Sequence, residues 1–216
     1  MRRSRPPGAG LAAHTTLAAL LLVAAPSAAD TTDGAYGRFD GDLDLSIGAG
    51  AAFAHGGPTA AALARVMYLG TAGLYAAYTD AFGADRPVLR SASVGVGVRP
   101  LFLPRWGYDL EQGPATLDLA LDALTLDFGV LLAKRPSDNA DSGPGVEAAL
   151  STEVPLIGRA TGPWIGLRGA IQWRAGELAS RADLAPESTR FVGLITLSWH
   201  AIVDCNIIDA RDRALR

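Results

Sequence analysis

From Phe39 to Val203 this sequence places apolar side chains at every second position, with Gly, Asp, Ser, Arg or Glu between them. A β-strand turns successive side chains to opposite faces, so each such stretch carries one apolar face and one polar or small face. Eight segments show the pattern: Arg38–His55, Thr59–Leu69, Ala72–Thr79, Val88–Leu101, Thr116–Ala133, Gly145–Ile157, Pro163–Ala175 and Thr189–Val203. A set of amphipathic strands separated by turn signals hides its edges by closing on itself. The pattern predicts an all-β fold, an antiparallel up-and-down barrel of eight strands. Ten become possible if the long fifth segment is two strands.

That fifth segment breaks phase. Leu117, Leu119 and Leu121 alternate with Asp118 and Asp122, but the apolar set resumes at Leu124, Leu126, Phe128, Val130 and Leu132. One extra residue near Ala123 restores both halves to one face, as a β-bulge does. A helix is the alternative, because Leu117, Leu121 and Leu124 also stand at helical spacing. The β-type run after Asp127 favours the bulge.

The first 29 residues read as an export signal. Arg2, Arg3 and Arg5 form a basic start, Leu17–Ala25 is a short apolar run, and Ser27-Ala28-Ala29 offers small residues for cleavage before Asp30. The apolar run is shorter than the ~20 residues of a spanning helix. The domain reading is therefore a signal peptide at 1–29, a barrel at 30–203 and a polar tail at 204–216. Removing Arg2, Arg3 and Arg5 leaves 16 basic residues against 22 acidic ones. That balance excludes a nucleic-acid partner, which needs a basic footprint. Cys205 is the only cysteine, so an internal disulfide is excluded.

At this point the chain resembles the small eight-stranded outer-membrane β-barrel proteins of Gram-negative bacteria. The resemblance covers residues 36–203 and rests on the strand pattern of Phe39–Phe53, Ser93–Arg99, Val146–Val154 and Ile165–Arg174. It implies an outer-membrane location, contact with outer-membrane lipid, insertion by the outer-membrane assembly machinery and a non-enzymatic structural, adhesion or narrow-pore role. Aromatics near strand ends (Phe39, Tyr68, Tyr78, Trp106, Tyr108, Trp164, Trp173 and Trp199) would form the interfacial belt. Such barrels usually end on an aromatic residue. This chain instead continues through Asp204–Arg216, which keeps a soluble periplasmic barrel with a lipophilic ligand as the alternative.

Three groups of residues carry candidate chemistry. Asp40, Asp42, Asp44, Asp127, Glu147 and Glu153 would face Arg99, Arg168 and Arg174 across an interior barely wide enough for side chains. The expectation is a neutralising charge network, either a closed plug or a narrow cation-preferring path. Ser198 and His200, two apart on one strand face, are weak catalytic candidates for a lipid-modifying enzyme, with Asp204 or Glu153 to orient the imidazole. No Gly-x-Ser-x-Gly elbow accompanies them. No metal-ligand spacing and no phosphate loop occur, so no metal and no cofactor are expected. The sequence leaves the ligand and the oligomeric state open.

Overall fold

A computed structural model describes residues 36–82, 88–134, 144–174 and 189–205. The signal-peptide reading and residues 206–216 of the tail lie outside these. The described strands are β1 (Leu43–Ala54), β2 (Gly57–Tyr68), β3 (Ala72–Asp80), β4 (Arg90–Val98), β5 (Thr125–Lys134), β6 (Gly145–Pro155), β7 (Gly162–Arg174) and β8 (Arg190–Val203). Each pairs antiparallel with the next, and β8 returns to β1 to close the barrel. The closing ladder sets Leu43 opposite Val203 and Phe53 opposite Gly193. The fold is thus an eight-stranded up-and-down β-barrel, and the ten-strand option is gone.

Turn chemistry fixes the register of the first hairpins. His55-Gly56 joins β1 to β2, with Gly56 at φ 105°. Leu69 and Gly70 join β2 to β3 with φ 46° and 64°, and the Thr71 N–H donates to the Tyr68 carbonyl at 2.9 Å. Positive φ at both central residues matches the right-handed twist of the flanking strands.

The fifth segment is corrected by the structure. Thr116–Ala133 is not one bulged strand. It is helix α2 (Ala115–Asp122), a turn at Ala123, and then β5. The break in phase is a change of period from helix to strand. Pro114, extended at φ −62° and ψ 132°, precedes the first helical turn and accepts from the N–H groups of Leu117 and Asp118. A shorter helix, α1 (Phe102–Gly107), occupies the preceding link. Arg38–Asp42, expected as the start of strand one, forms turns and bends, and β1 begins at Leu43.

Both helices lie between β4 and β5, so they sit at the barrel end where β1 starts and β8 finishes. Leu119, Ala123, Ala160 and Trp164 form a buried cluster there, with Tyr36 and Ile202 against it. The other end of the interior is filled by small apolar residues, among them Ala52, Ala61, Ala149 and Ala170, with Val192 and Leu194. The charged layer lies between these two plugs.

Candidate functional site: a charged lumen

The outward set of the strands is mostly apolar, and the inward set carries the buried polar and charged residues together with small side chains and a few large apolar ones such as Leu63, Met67 and Leu131. On β6, Glu147, Ser151 and Glu153 are buried while Val146, Leu150 and Val154 are exposed. On β8, Thr196, Ser198 and His200 point inward and Phe191, Ile195 and Leu197 outward. An eight-stranded interior has room only for side chains, so large groups require small ones opposite. Gly97 supplies such space, since a Cβ there would stand 2.8 Å from Asp127 Oδ1.

The charges form one connected chain. Arg65 donates from Nη2 to Asp127 Oδ2 at 2.8 Å and to Ser151 Oγ at 2.7 Å, and from Nη1 to Glu153 Oε2 at 3.4 Å. Arg168 donates from Nε to the same Asp127 oxygen at 3.0 Å and from Nη2 to Glu147 Oε1 at 2.7 Å. Glu147 is further held by Gln172 Nε2 at 2.6 Å, Ser93 Oγ at 2.9 Å and the Tyr75 hydroxyl at 3.1 Å. In the other direction Glu153 accepts from Ser198 Oγ at 3.0 Å and lies 3.3 Å from His200 Nε2. His200 Nδ1 is 3.1 Å from Asp44 Oδ1, and Arg99 donates to Asp44 Oδ2 at 2.6 Å. Basic side chains, three guanidinium groups and the His200 imidazole, therefore alternate with carboxylates along the interior. A buried charge without such a neighbour would cost several kcal/mol.

The sequence-derived candidates divide accordingly. Asp44, Arg99, Asp127, Glu147, Glu153, Arg168, Ser198 and His200 come together in this chain of contacts. Asp40 does not join them: it is exposed in the bend before β1, because the strand starts later than its alternation suggested. Asp42 is buried just ahead of β1, its N–H donating to the Val203 carbonyl at 3.0 Å. Arg174 closes β7, and its side chain lies outside the described residues. Arg65, at the centre of the network, has no counterpart among the sequence candidates.

Ser198 and His200 share a face but not a proton path. The Ser198 hydroxyl donates to Glu153 Oε1, and His200 Nε2 lies 3.3 Å from the same oxygen. The other ring nitrogen faces Asp44, so each nitrogen meets a carboxylate and neither is turned to accept from Ser198. The ring also stacks on Trp164, centroids 4.5 Å apart. Trp164 is buried at this stack rather than placed in an outer aromatic belt.

A second charged group ties the helices across the barrel end. Arg105 donates from Nε to Asp122 Oδ1 at 2.7 Å and from Nη2 to Asp118. Arg38 Nη1 lies 2.8 Å from Asp122 Oδ2 and 3.5 Å from Glu111 Oε1. Burial, opposed by the neighbouring carboxylates, leaves the Arg38 pKa below its ordinary value. Burial also raises the Glu111 carboxyl to about 7, and a hydrogen bond shared with Asp122 adds to the rise. A cavity of about 20 Å³ separates this group from the lumen chain, lined by Arg38, Asp44, Arg99 and Asp122 with Leu119 and Trp164. That is space for about one water molecule.

Among the described residues no three His, Cys, Asp or Glu side chains are grouped to hold a metal ion, and no helix is long and apolar enough to cross a membrane. No protein-family model, curated protein or solved structure matches the chain.

Proposed function

We propose that this chain is an outer-membrane barrel with a structural role, its lumen sealed by the ion-pair chain instead of serving as a pore. The observation that carries the reading is the inverted polarity of the wall. Ile47, Leu74, Val94 and Leu132 are each about 60% exposed on the outside, while Arg65, Asp127, Glu147 and Glu153 are at most 3% exposed inside. A barrel bathed by water on the outside and loaded with a lipophilic molecule would need the opposite arrangement.

Two further features support the reading. A tilted spanning strand needs ~9–11 residues, and the eight strands run from 9 to 14. Closure leaves no unpaired strand edge, the condition for a sheet to cross hydrocarbon. Arg65, Glu153 and His200 fill the lumen at one level, which favours a closed plug over a cation path.

Fractionation of expressing cells, followed by electrophoresis with and without boiling, tests this. The expected result is recovery in the outer membrane with a heat-dependent mobility shift, and no unitary conductance in planar bilayers. Recovery as a soluble periplasmic protein overturns the membrane reading. Reproducible conductance steps overturn the sealed lumen alone.

A further inference from the structure

Helix α2 is turned inside out for a helix in water. Its sequence, Ala-Thr-Leu-Asp-Leu-Ala-Leu-Asp, offers leucines at 117, 119 and 121 and aspartates at 118 and 122. A helix lying on a soluble protein would bury the leucines and wet the aspartates. Here Asp118 and Asp122 are 3% and 1% exposed, spent on Arg105 and Arg38. Leu119 is buried, but Leu117 and Leu121, one turn apart, stand 54% and 38% exposed. In water, both outward leucines would forgo the stabilisation that burial of their apolar surface supplies.

The position of α2 says what they meet. Thr152 belongs to the outward face of β6, alongside Val146, Leu150 and Val154. Its hydroxyl donates to the Ala120 carbonyl at 2.8 Å, so α2 rests on the outer rim of the barrel wall. The β6–β7 turn adjoins the start of the helix, with a Cβ at Gly158 meeting Ala115 at 3.5 Å. In that turn Leu156 and Ile157 are exposed, and so is Arg159 just beyond them. The apolar face of the strands thus continues from Leu150 and Val154 through Leu156 and Ile157, interrupted by Thr152, whose hydroxyl is taken up by the helix. α1 shares the inversion in part: Phe102 is buried, but Arg105 is turned in to the aspartates while Leu103 and the half-exposed Trp106 are turned out.

We infer that α2 and the Leu156-Ile157 turn form an in-plane membrane anchor, seated at the headgroup–acyl boundary of the leaflet that adjoins this end of the barrel. The inference rests on the membrane reading and adds to it a second class of lipid contact. Interfacial helices bury their apolar face ~5–10 Å into that boundary. Arg159 stands where a lipid phosphate would be met.

The test uses the full chain carrying Cys205→Ser, with single cysteines introduced as Leu117→Cys, Leu121→Cys or Ile157→Cys and labelled with an environment-sensitive fluorophore. Val130→Cys on the outer wall and His55→Cys in the exposed β1–β2 turn serve as references. The labelled proteins are folded into phosphatidylcholine–phosphatidylglycerol vesicles containing shallow doxyl lipid for the three test sites and mid-chain doxyl lipid for Val130, and iodide is the aqueous quencher. The expected result is strong doxyl quenching at 117, 121 and 157, with iodide quenching several-fold weaker than at His55. Quenching by iodide and not by doxyl means the helix faces water and overturns the anchor, while doxyl quenching at Val130 leaves the membrane reading standing. Protection from both quenchers, with self-quenching that grows with protein density, means a second copy covers the face and also overturns it. Loss of doxyl quenching at Val130 as well removes the membrane reading and the anchor with it. Three label sites keep the test readable if one variant does not fold.

Discussion

Arg65 and Asp127 meet at 2.8 Å inside the barrel with neither side chain reaching water. One comes from β2 and the other from β5, so the pair spans the lumen rather than linking neighbouring strands. Asp127 shares the same oxygen with Arg168, which makes it the junction of two guanidinium groups. Removing Arg65 leaves Asp127 with Arg168 alone and Glu153 with His200 alone, one uncompensated buried negative charge and a loss of up to about 3–5 kcal/mol.

Arg65→Met should therefore destabilise the barrel by that amount, seen as a lower denaturant midpoint for the loss of the heat-resistant folded band. Arg65→Met combined with Asp127→Leu should recover part of it, because removing both partners leaves less unpaired charge behind. Additive losses in the double variant would show that the pair is not coupled.

Ser198→Ala tests the remaining enzymatic reading. If the hydroxyl serves only to donate to Glu153, its removal costs about 1.5–3 kcal/mol of stability and changes no lipid composition. Disappearance of a lipid-hydrolysing activity in the folded variant would reverse that conclusion.

How far the fold was legible follows from how clean the alternation is on each strand. β6 and β8 mix Glu, Ser and His with Val, Leu and Phe, so their inner and outer faces separate on inspection. β2 reads Ala-Ala-Ala-Leu-Ala-Arg-Val-Met, apolar on both faces, and Arg65 gave no sign of belonging to a lumen set. A single charge within an otherwise apolar strand was the available signal, since its only satisfiable position in a membrane barrel is inward. The Leu117–Asp122 stretch satisfied strand and helix periods together, and short apolar runs do not resolve that choice. The cap residues Arg38, Arg105, Asp118 and Asp122 were illegible for another reason. Arg38 joins a turn before β1 to Glu111 and Asp122 far along the chain, a relation set by barrel closure, while Arg105 joins α1 to α2, a helix hidden by its strand-like spacing.

Val130 faces out from the middle of β5, 51% exposed and paired across the ladder with Val94. In a bilayer, Val130→Arg should cost about 2–4 kcal/mol in folding free energy, measured by denaturant titration in vesicles. On a water-bathed surface the same change would fall within ~0.5 kcal/mol. Gly129→Arg is not an equivalent control, since a side chain there runs into Tyr75.

Glu111 makes the helical cap sensitive to pH. Its carboxyl ordinarily titrates at 4.5 and is raised to about 7 by burial and by the bond shared with Asp122. The folded cap therefore holds its proton more tightly than the unfolded chain does. Stabilisation from this group is complete below pH 4.5 and is lost as pH rises through about 7. Above that point Glu111 and Asp122 are both ionised, with Arg38 and Arg105 as the cations facing them and Asp118 as a further carboxylate. Amide exchange over residues 99–124, corrected for its intrinsic pH dependence, should be slower at pH 5 than at pH 8, while the centres of β6 and β7 change little. Glu111→Gln keeps a neutral amide in place of the protonated acid and should flatten the pH response of the cap. A cap whose exchange is unchanged between the two pH values in the native chain would mean that Glu111 carries its charge throughout, with Arg38 outweighing burial.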